Sequence, residues 1–371
     1  MKPNAKIMVA GGGTGGHSIP NVVISRLIQK HLPEVTCFHI LSDKAVDQEI
    51  VRIHRLQNVI HLPPSPWAGK KWLERLKSLS QLALNVLTCF KLFLTHKPSL
   101  VIGVGGYSSA AAVVAAWMLR IPIVLQEQNR IVGVVNRWLG IFAKCLLLGF
   151  PDADRSIPLK FVRKKCVFSG NYNLAMLDEN PPPPVEPQEP LLFISGGSQG
   201  AKPLNEAFVA ILPDLMRAHP HLQVVWQCGD AWEALMQKKV SSESFSSRVR
   251  VFGFEKDLLA YYRRATVCIC RAGALTLMDI VTSEAPAILV PFPYAADRHQ
   301  DANAEFLVQA RACRLVRQHG KYWAKDLLAS TDFLLRDGAQ RQLLVTHLKQ
   351  VKQQLPGPNF LLQQINTHAR G

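Results

Sequence analysis

The chain has 371 residues, 48% hydrophobic and 19% charged. That composition excludes wholesale disorder, and because one core stops growing near roughly 250–300 residues it implies two domains. The formal charge of +16 is confined to the first half: residues 1–165 carry 22 Lys+Arg against 8 Asp+Glu (+14), and residues 166–371 carry 21 against 19 (+2). Such a field selects an anionic partner. No zinc finger, bZIP basic region or RNA-binding aromatic signature is present, so nucleic acid is set aside in favour of diphosphates and anionic lipid headgroups.

Lys6–Ala10 is an apolar strand that runs into Gly11-Gly-Gly-Thr-Gly-Gly-His17, with a helix expected from about Pro20. Glycines let the backbone approach a ligand closely, and their N–H groups together with the following helix N-terminus make an anion seat. Gly11–Gly16 also satisfies GxGxxG, so a dinucleotide site with Asp43 as its ribose carboxylate and a plain tight turn both stay open. His17 follows the loop, where the helix dipole disfavours imidazolium by roughly 0.3–1 kcal/mol and keeps the ring able to accept a proton. Met1–Ala10 lacks the apolar stretch of a secretion signal, and no uninterrupted run of about 18 apolar residues occurs, so any membrane contact is expected to be peripheral. The eight cysteines lie mostly in apolar runs without CxxC spacing and read as reduced core thiols of a cytosolic protein.

After a strand near 36–41 comes a segment with Trp67, Lys70, Lys71, Trp72 and Arg75 leading into an apolar helix that extends to about Lys97. Packing against a sheet explains much of its stripe, but tryptophans mixed with cations are also what a membrane interface requires. A strand near 100–103 opens into Gly105-Gly-Tyr107, and one near 123–126 ends in Gln126-Glu127-Gln-Asn129, making Glu127 a candidate acid, base or orienting group. Glu179–Pro190 is proline-rich and reads as an extended linker.

The second half repeats the opening: strand Leu191–Ile194, glycine turn Gly196-Gly-Ser198-Gln199-Gly200, then a helix from about Pro203. Strands near 223–228, 249–252, 267–270 and 287–290 follow. Cys270–Asp279 leaves a strand and enters a helix with Ala274, Leu275 and Thr276 at its N-terminus, where Asp279 is either a ribose ligand or dipole compensation. Val290–Asn303 offers Asp297, His299, Gln300 and Asn303, whose amides and carboxylate suit sugar hydroxyls or, equally, a helix cap. The alternation of strand and helix predicts an α/β protein of two Rossmann-like doubly wound domains facing across a cleft. Their expected bounds are 1–178 and 191–356, joined by linker 179–190, with a C-terminal helix at about 357–371 packing back on the first.

Gly12–His17, Gly103–Ser109, Gln126–Asn129 with Asn136, Gly196–Ala201, Arg271–Asp279 and Val290–Ala304 together resemble, in order and over nearly the whole chain, the MurG family of peptidoglycan glycosyltransferases. The resemblance implies a GT-B fold and inverting transfer of N-acetylglucosamine from UDP-N-acetylglucosamine to an undecaprenyl-linked muramyl peptide. It implies no metal and no cofactor, since helix N-termini and loop amides stabilise the departing diphosphate. By the same resemblance Thr14, Gly15 and Gly16 border the sugar and the acceptor diphosphate, with Gly105, Tyr107 and Asn136 in the acceptor blocks, and Asn129 touches the donor sugar. Ser198, Gln199 and Ala274–Thr276 meet the phosphates, Asp279 the ribose, Gln300 and Asn303 the sugar, and the backbone at Glu255 the uracil. His17 is the first choice of base and Glu127 the second. The site is expected peripherally on the cytoplasmic face of the inner membrane, against an anionic surface and other cell-wall synthesis proteins. Three positions depart from the family pattern: Gln126 replaces a cleft histidine, Leu174 replaces an arginine near the nucleotide, and Asp279 replaces a longer glutamate. They leave an inactive nucleotide-sugar-binding protein as one alternative, beside the dinucleotide-dependent oxidoreductase that Gly11–Gly16 and Asp43 would serve.

Overall fold

A computed structural model describes residues 4–65, 72–177, 189–197, 199–255 and 257–369. The chain forms two compact units, Met1–Leu177 with Pro356–Gly371, and Asp178–Leu355. The linker 179–190 lies outside the described residues up to Gln188.

The first unit holds a seven-stranded parallel sheet of β1 (Lys6–Ala10), β2 (Thr36–Ser42), β3 (Val59–Leu62), β4 (Leu100–Gly103), β5 (Ile123–Glu127), β6 (Cys145–Leu148) and β7 (Cys166–Phe168). Their order is β3-β2-β1-β4-β5-β6-β7. The second unit's parallel sheet has β8 (Leu191–Ser195), β9 (Gln223–Gln227), β10 (Val249–Phe252), β11 (Val267–Cys270), β12 (Ala287–Leu289) and β13 (Arg314–Leu315), in the order β10-β9-β8-β11-β12-β13. In both sheets the direction of winding reverses beside the first strand, between β1 and β4 and between β8 and β11. Loops leaving the carboxyl ends of these four strands therefore sit at a topological switch point, where open α/β sheets bind ligands.

Inner strands β4, β6, β11 and β12 are apolar because helices cover both faces; Ile7, Met8, Val9 and Ala10 of β1 have no exposed surface at all. Edge strands β3, β7 and β13 escape the sequence reading because they are short and only partly buried, and inner strand β6 escapes it because a buried apolar run of four residues has no periodicity to separate strand from helix. The first helix, Gly15–His31, begins five residues before Pro20, with the proline inside it. Its ring forfeits one N–H in an early turn, which the helix tolerates because eight other residues from Ser18 to Ile28 are buried. All eight cysteines are free and seven are buried, with burial pushing Cys37 and Cys89 up to about 12.

The C-terminal helix Pro358–Ala369 joins the first unit's core through Leu361 and Ile365. Tyr172 fixes its start, because the phenol hydroxyl reaches the carbonyls of Pro356 at 3.0 Å and Gly357 at 3.1 Å. Helix Trp72–His96 turns Ser78, Asn85, Cys89 and Phe93 inward at seven- and four-residue spacing, while Leu76, Leu79, Leu84, Leu87 and Leu94 stand exposed. Over Leu76–His96 it is long and apolar enough to cross a membrane, with only 22% of the window buried. Trp67, Lys70 and Lys71 lie outside the described residues, as does the side chain of Arg75.

Ile365 is fully buried, so Ile365→Ala should cost about 2–5 kcal/mol in urea denaturation. On β2, His39 is buried with Nδ1 2.7 Å from Asn21 Oδ1, and burial lowers its pKa from 6.5 to about 4. Between those values the unfolded chain binds a proton that the folded chain refuses, so stability must fall as pH drops from about 6.5 to 4, by up to about 1.4 kcal/mol per unit. Denaturation midpoints measured across that window should show a shallower slope in His39→Gln.

Candidate active site

In the first unit two glycine turns meet at the switch point. A Cβ on Gly11 would stand 2.3 Å from Val104 Cγ2, and one on Gly106 (φ +79°) would stand 2.5 Å from the Gly12 carbonyl oxygen. Only glycine allows that approach. His17 lies in the first turn of helix Gly15–His31, where its Nδ1 is 3.1 Å from Thr14 Oγ1. A side chain at Gly105 (φ +99°) would strike the imidazole, 2.6 Å from Cδ2 and 2.8 Å from Nε2. The absence of a side chain at Gly105 therefore lets the imidazole lie against the second glycine turn, with Thr14 Oγ1 beside Nδ1. Gly15 faces open space, since a Cβ added there would meet nothing within 4 Å; its own packing does not demand a glycine, but the close approach of a ligand would.

Glu127 ends β5 and is buried. One carboxylate oxygen accepts from the Asn129 N–H at 3.0 Å and the Asn129 amide at 3.3 Å, while the other accepts from the Gly133 N–H at 2.9 Å and Asn136 Nδ2 at 3.0 Å. Four donors saturate it, so of the roles open to Glu127 the geometry supports the orienting one, not that of base. Asn136 is likewise buried and helps to fix the same loop, its Nδ2 also donating to the Gln126 carbonyl at 3.1 Å. Arg130 clamps the loop from outside through Asp152, Nε to Oδ1 2.9 Å and Nη2 to Oδ2 2.6 Å, and this hydrogen bond holds the Asp152 carboxyl below its usual range. Asn129 and Tyr107 are only partly buried beside these anchors.

Position 126 corrects an expectation. Its side chain does not line a cleft but is buried in an amide network, donating to Asn171 Oδ1 at 3.4 Å and accepting from Gln128 Nε2. The departure at Gln126 thus changes the interior of the first unit.

The second unit repeats the junction with different chemistry. Gly197 (φ +84°) and Gly200 (φ +71°) shape the turn after β8, and a Cβ on Gly200 would overlap the Cys228 carbonyl at 2.1 Å. Gln199 is exposed, and Ser198 lies outside the described residues. Beneath the turn, Ser195 Oγ donates to Gln227 Oε1 at 2.7 Å and receives the Gly197 N–H at 3.3 Å. Helix Ala274–Ser283 begins after Gly273, so Ala274, Leu275 and Thr276 form its first turn and Asp279 follows, partly exposed.

Arg271 carries no sequence signal beyond its place in the Arg271–Asp279 block. It is buried just before this helix, bonding the carbonyls of Val290 at 3.0 Å and Pro291 at 3.2 Å and Gln318 Oε1 at 2.8 Å. Among the described residues no carboxylate ion-pairs with it. Burial lowers its pKa to about 10, so the guanidinium stays charged and adds to the helix N-terminus a second source of positive potential.

Asn303 is a second correction. It has no exposed surface, and its Nδ2 donates to the Ala272 carbonyl at 3.2 Å, so it shapes the turn before the helix and does not present an amide to a sugar. Gln300 is partly buried with Oε1 accepting from the Phe292 N–H at 2.9 Å. Asp297 (φ +49°) and Arg298 (φ +53°) precede it in consecutive left-handed conformations, strain that clusters at functional segments. Glu255 is bound by Tyr261 Oη at 2.7 Å and Arg250 Nη2 at 3.2 Å, which ties the side chain back.

Asp43 is exposed, whereas Asp47 is completely buried and takes the Gly13 N–H at 2.7 Å. That N–H is therefore closed to a dinucleotide pyrophosphate, which would have one donor fewer at this turn. Nothing in the sequence marks Asp47, because an acidic residue in a helix's first turn is ordinarily dipole compensation. Among the described residues no group of three or more His, Cys, Asp and Glu is placed to hold a metal ion.

Comparison with known proteins matches residues 7–148 to the glycosyltransferase family 28 N-terminal domain and residues 191–342 to the family 28 C-terminal domain. A curated relative from Anaeromyxobacter sp. (strain Fw109-5), named UDP-N-acetylglucosamine--N-acetylmuramyl-(pentapeptide) pyrophosphoryl-undecaprenol N-acetylglucosamine transferase, is 34% identical over 314 residues, covering 84% of this chain and 81% of its own. A protein of the same name from Lactiplantibacillus plantarum is 29% identical over 358 residues, covering 93% and 95%. The crystal structure of Acinetobacter baumannii MurG shares the GT-B fold with a TM-score of 0.72 at 23% identity, over 98% of this chain and 99% of that one. With both family domains in order and a relative at this identity over most of its length, the chain belongs to the MurG family of glycosyltransferase family 28.

Proposed function

We propose that the chain transfers N-acetylglucosamine from UDP-N-acetylglucosamine to a lipid-linked N-acetylmuramyl pentapeptide, inverting the anomeric carbon. The observation that carries this reading is His17, set at a helix N-terminus with Nδ1 beside Thr14 Oγ1 and its ring against Gly105, where the loops after β1 and β4 meet. In the tautomer that places the proton on Nδ1, Thr14 Oγ1 accepts from it, the lone pair falls on Nε2, and the helix dipole disfavours imidazolium. Nε2 takes the proton of the acceptor hydroxyl as that oxygen bonds to the anomeric carbon, and the sugar–phosphate C–O bond breaks with its electron pair going to UDP. The negative charge that develops on the leaving diphosphate needs donors already in place. Those are the backbone N–H groups of Ala274–Thr276 at the start of their helix, with Arg271 behind them. The names carried by relatives at 29–34% identity support the same donor and acceptor.

A peripheral position on an anionic membrane, at its cytoplasmic face, belongs to the same proposal. The acceptor's lipid keeps its reactive sugar at a bilayer surface, and three features of the first unit suit that surface. Trp72 is 69% exposed at the entrance of a helix whose outer face carries five exposed leucines. Trp117, Met118 and Phe142 line a groove of about 520 Å³ together with Arg120 and Lys144. Finally, nearly all of the excess positive charge lies in this half of the chain.

Incubation with labelled UDP-N-acetylglucosamine and the lipid-linked muramyl pentapeptide should release UDP and yield a disaccharide lipid. Binding of the nucleotide sugar without any release would defeat the proposal. Turnover in His17→Ala should fall by about 10²–10⁴-fold. For the membrane, Leu84→Asp with Leu87→Asp should abolish co-sedimentation with phosphatidylglycerol vesicles while preserving turnover on a short-chain soluble acceptor; unchanged sedimentation would rule out this face.

A further inference from the structure

We infer that Asp47 is the positioning residue of the first glycine loop: its buried carboxylate holds the Thr14–His17 segment from both ends and so sets the imidazole against the acceptor alcohol. This rests on the function proposed above. Asp47 stands in the first turn of helix Ala45–His54 with no exposed surface. Oδ2 accepts the Gly13 N–H at 2.7 Å, the Ser42 N–H at 2.9 Å and the Ser42 hydroxyl, while Oδ1 receives the hydroxyl of Ser18. Gly13 precedes Thr14 and Ser18 follows His17, so one carboxylate grips the chain on either side of the proposed base. Fit leaves no slack: a Cβ on Gly12 would stand 2.5 Å from Oδ2. Ser42 ends β2, so the loop is referenced to the sheet itself and not to a neighbouring loop.

The second unit offers a control within the same molecule. There the corresponding turn is supported by a hydroxyl and an amide, Ser195 and Gln227, and a buried arginine stands beside the next helix. A neutral support with a cation suits a departing diphosphate. A carboxylate beneath the first turn, where the second has a neutral hydroxyl, suits a loop whose task is to take up a proton, since a nearby negative charge favours the imidazolium that results.

Three measurements test this on the full-length protein. Asp47→Ala should lower kcat by about 10²-fold, the usual scale for a reacting group displaced by an ångström, while the KM and the calorimetric Kd for UDP-N-acetylglucosamine change less than about twofold. Asp47→Asn retains the shape and can donate to Ser18 Oγ, so it should recover most of the lost turnover. Amide exchange of Gly13 to Ser18 should quicken at least about tenfold in the alanine variant. Turnover of Asp47→Ala within threefold of the unaltered protein, or a matching loss in donor Kd, overturns the inference. Should that variant fail to fold, Ser18→Ala severs one grip alone and should still cost about tenfold in kcat; a loss under twofold there overturns it equally. If the unaltered protein releases no UDP, the assigned reaction is what fails, and amide exchange, which needs no turnover, still decides whether Asp47 holds the loop.

Discussion

In the first unit the backbone of one glycine turn lies directly on the backbone of another. Gly11 sits against Val104 and Gly105, and Gly106 against the carbonyl of Gly12, at separations no side chain would permit. Everything proposed for this unit depends on that contact. It brings the carboxyl ends of β1 and β4 to one place, puts Gly105 under the imidazole of His17, and gives the helix N-terminus a defined height above the sheet. A parallel sheet makes the contact possible because neighbouring strands β1 and β4 end at the same level and wind in opposite directions from there.

Both units use the same strand, turn and helix junction, yet differ in what supports the turn. A carboxylate fastens the first, while a serine and a glutamine fasten the second. Taking a loop N–H for an internal carboxylate removes one donor from any ligand, while leaving the other donors of the turn in place. The second turn also spends an N–H internally, Gly197 on Ser195 Oγ, but on a neutral group, and beside it stands Arg271, a buried cation whose partners are carbonyls and an amide. Burying an uncompensated charge is expensive, and such groups persist where an anionic ligand repays the desolvation.

Several groups that carry polar chemistry are turned inward. Glu127 accepts four hydrogen bonds, Asn303 donates to a turn carbonyl, and Gln126 joins Gln128 and Asn171 in an interior amide network. Their contribution is geometric: they hold loops that carry Asn129, Thr276 and their neighbours. Apolar groups on helix Trp72–His96 show the reverse, with leucines outward and Ser78 and Asn85 inward. Asn85 is accommodated because its amide donates to the Pro63 carbonyl at 2.9 Å, and the exposed leucines are the part of the surface that water does not favour.

The strand, glycine turn and helix modules are legible from residues alone, since apolar runs, glycine at positive φ and helical periodicity act over a few positions. His17 and the helix starting at Ala274 are visible for the same reason. Local pattern cannot distinguish Asp43 from Asp47, four residues apart on one stretch: burial of the second follows from Gly13, Ser18 and Ser42 arriving from two other elements. Nor can it turn Asn303 and Gln126 inward or surround Glu127 with donors, because each depends on partners distant in sequence or on the path of a loop. Sequence determined the sheet modules and the glycine turns, whose physics is local. Tertiary structure decided which polar side chains face a ligand and which hold the frame, because a buried hydrogen bond exists only when its donor and acceptor are brought together by the fold.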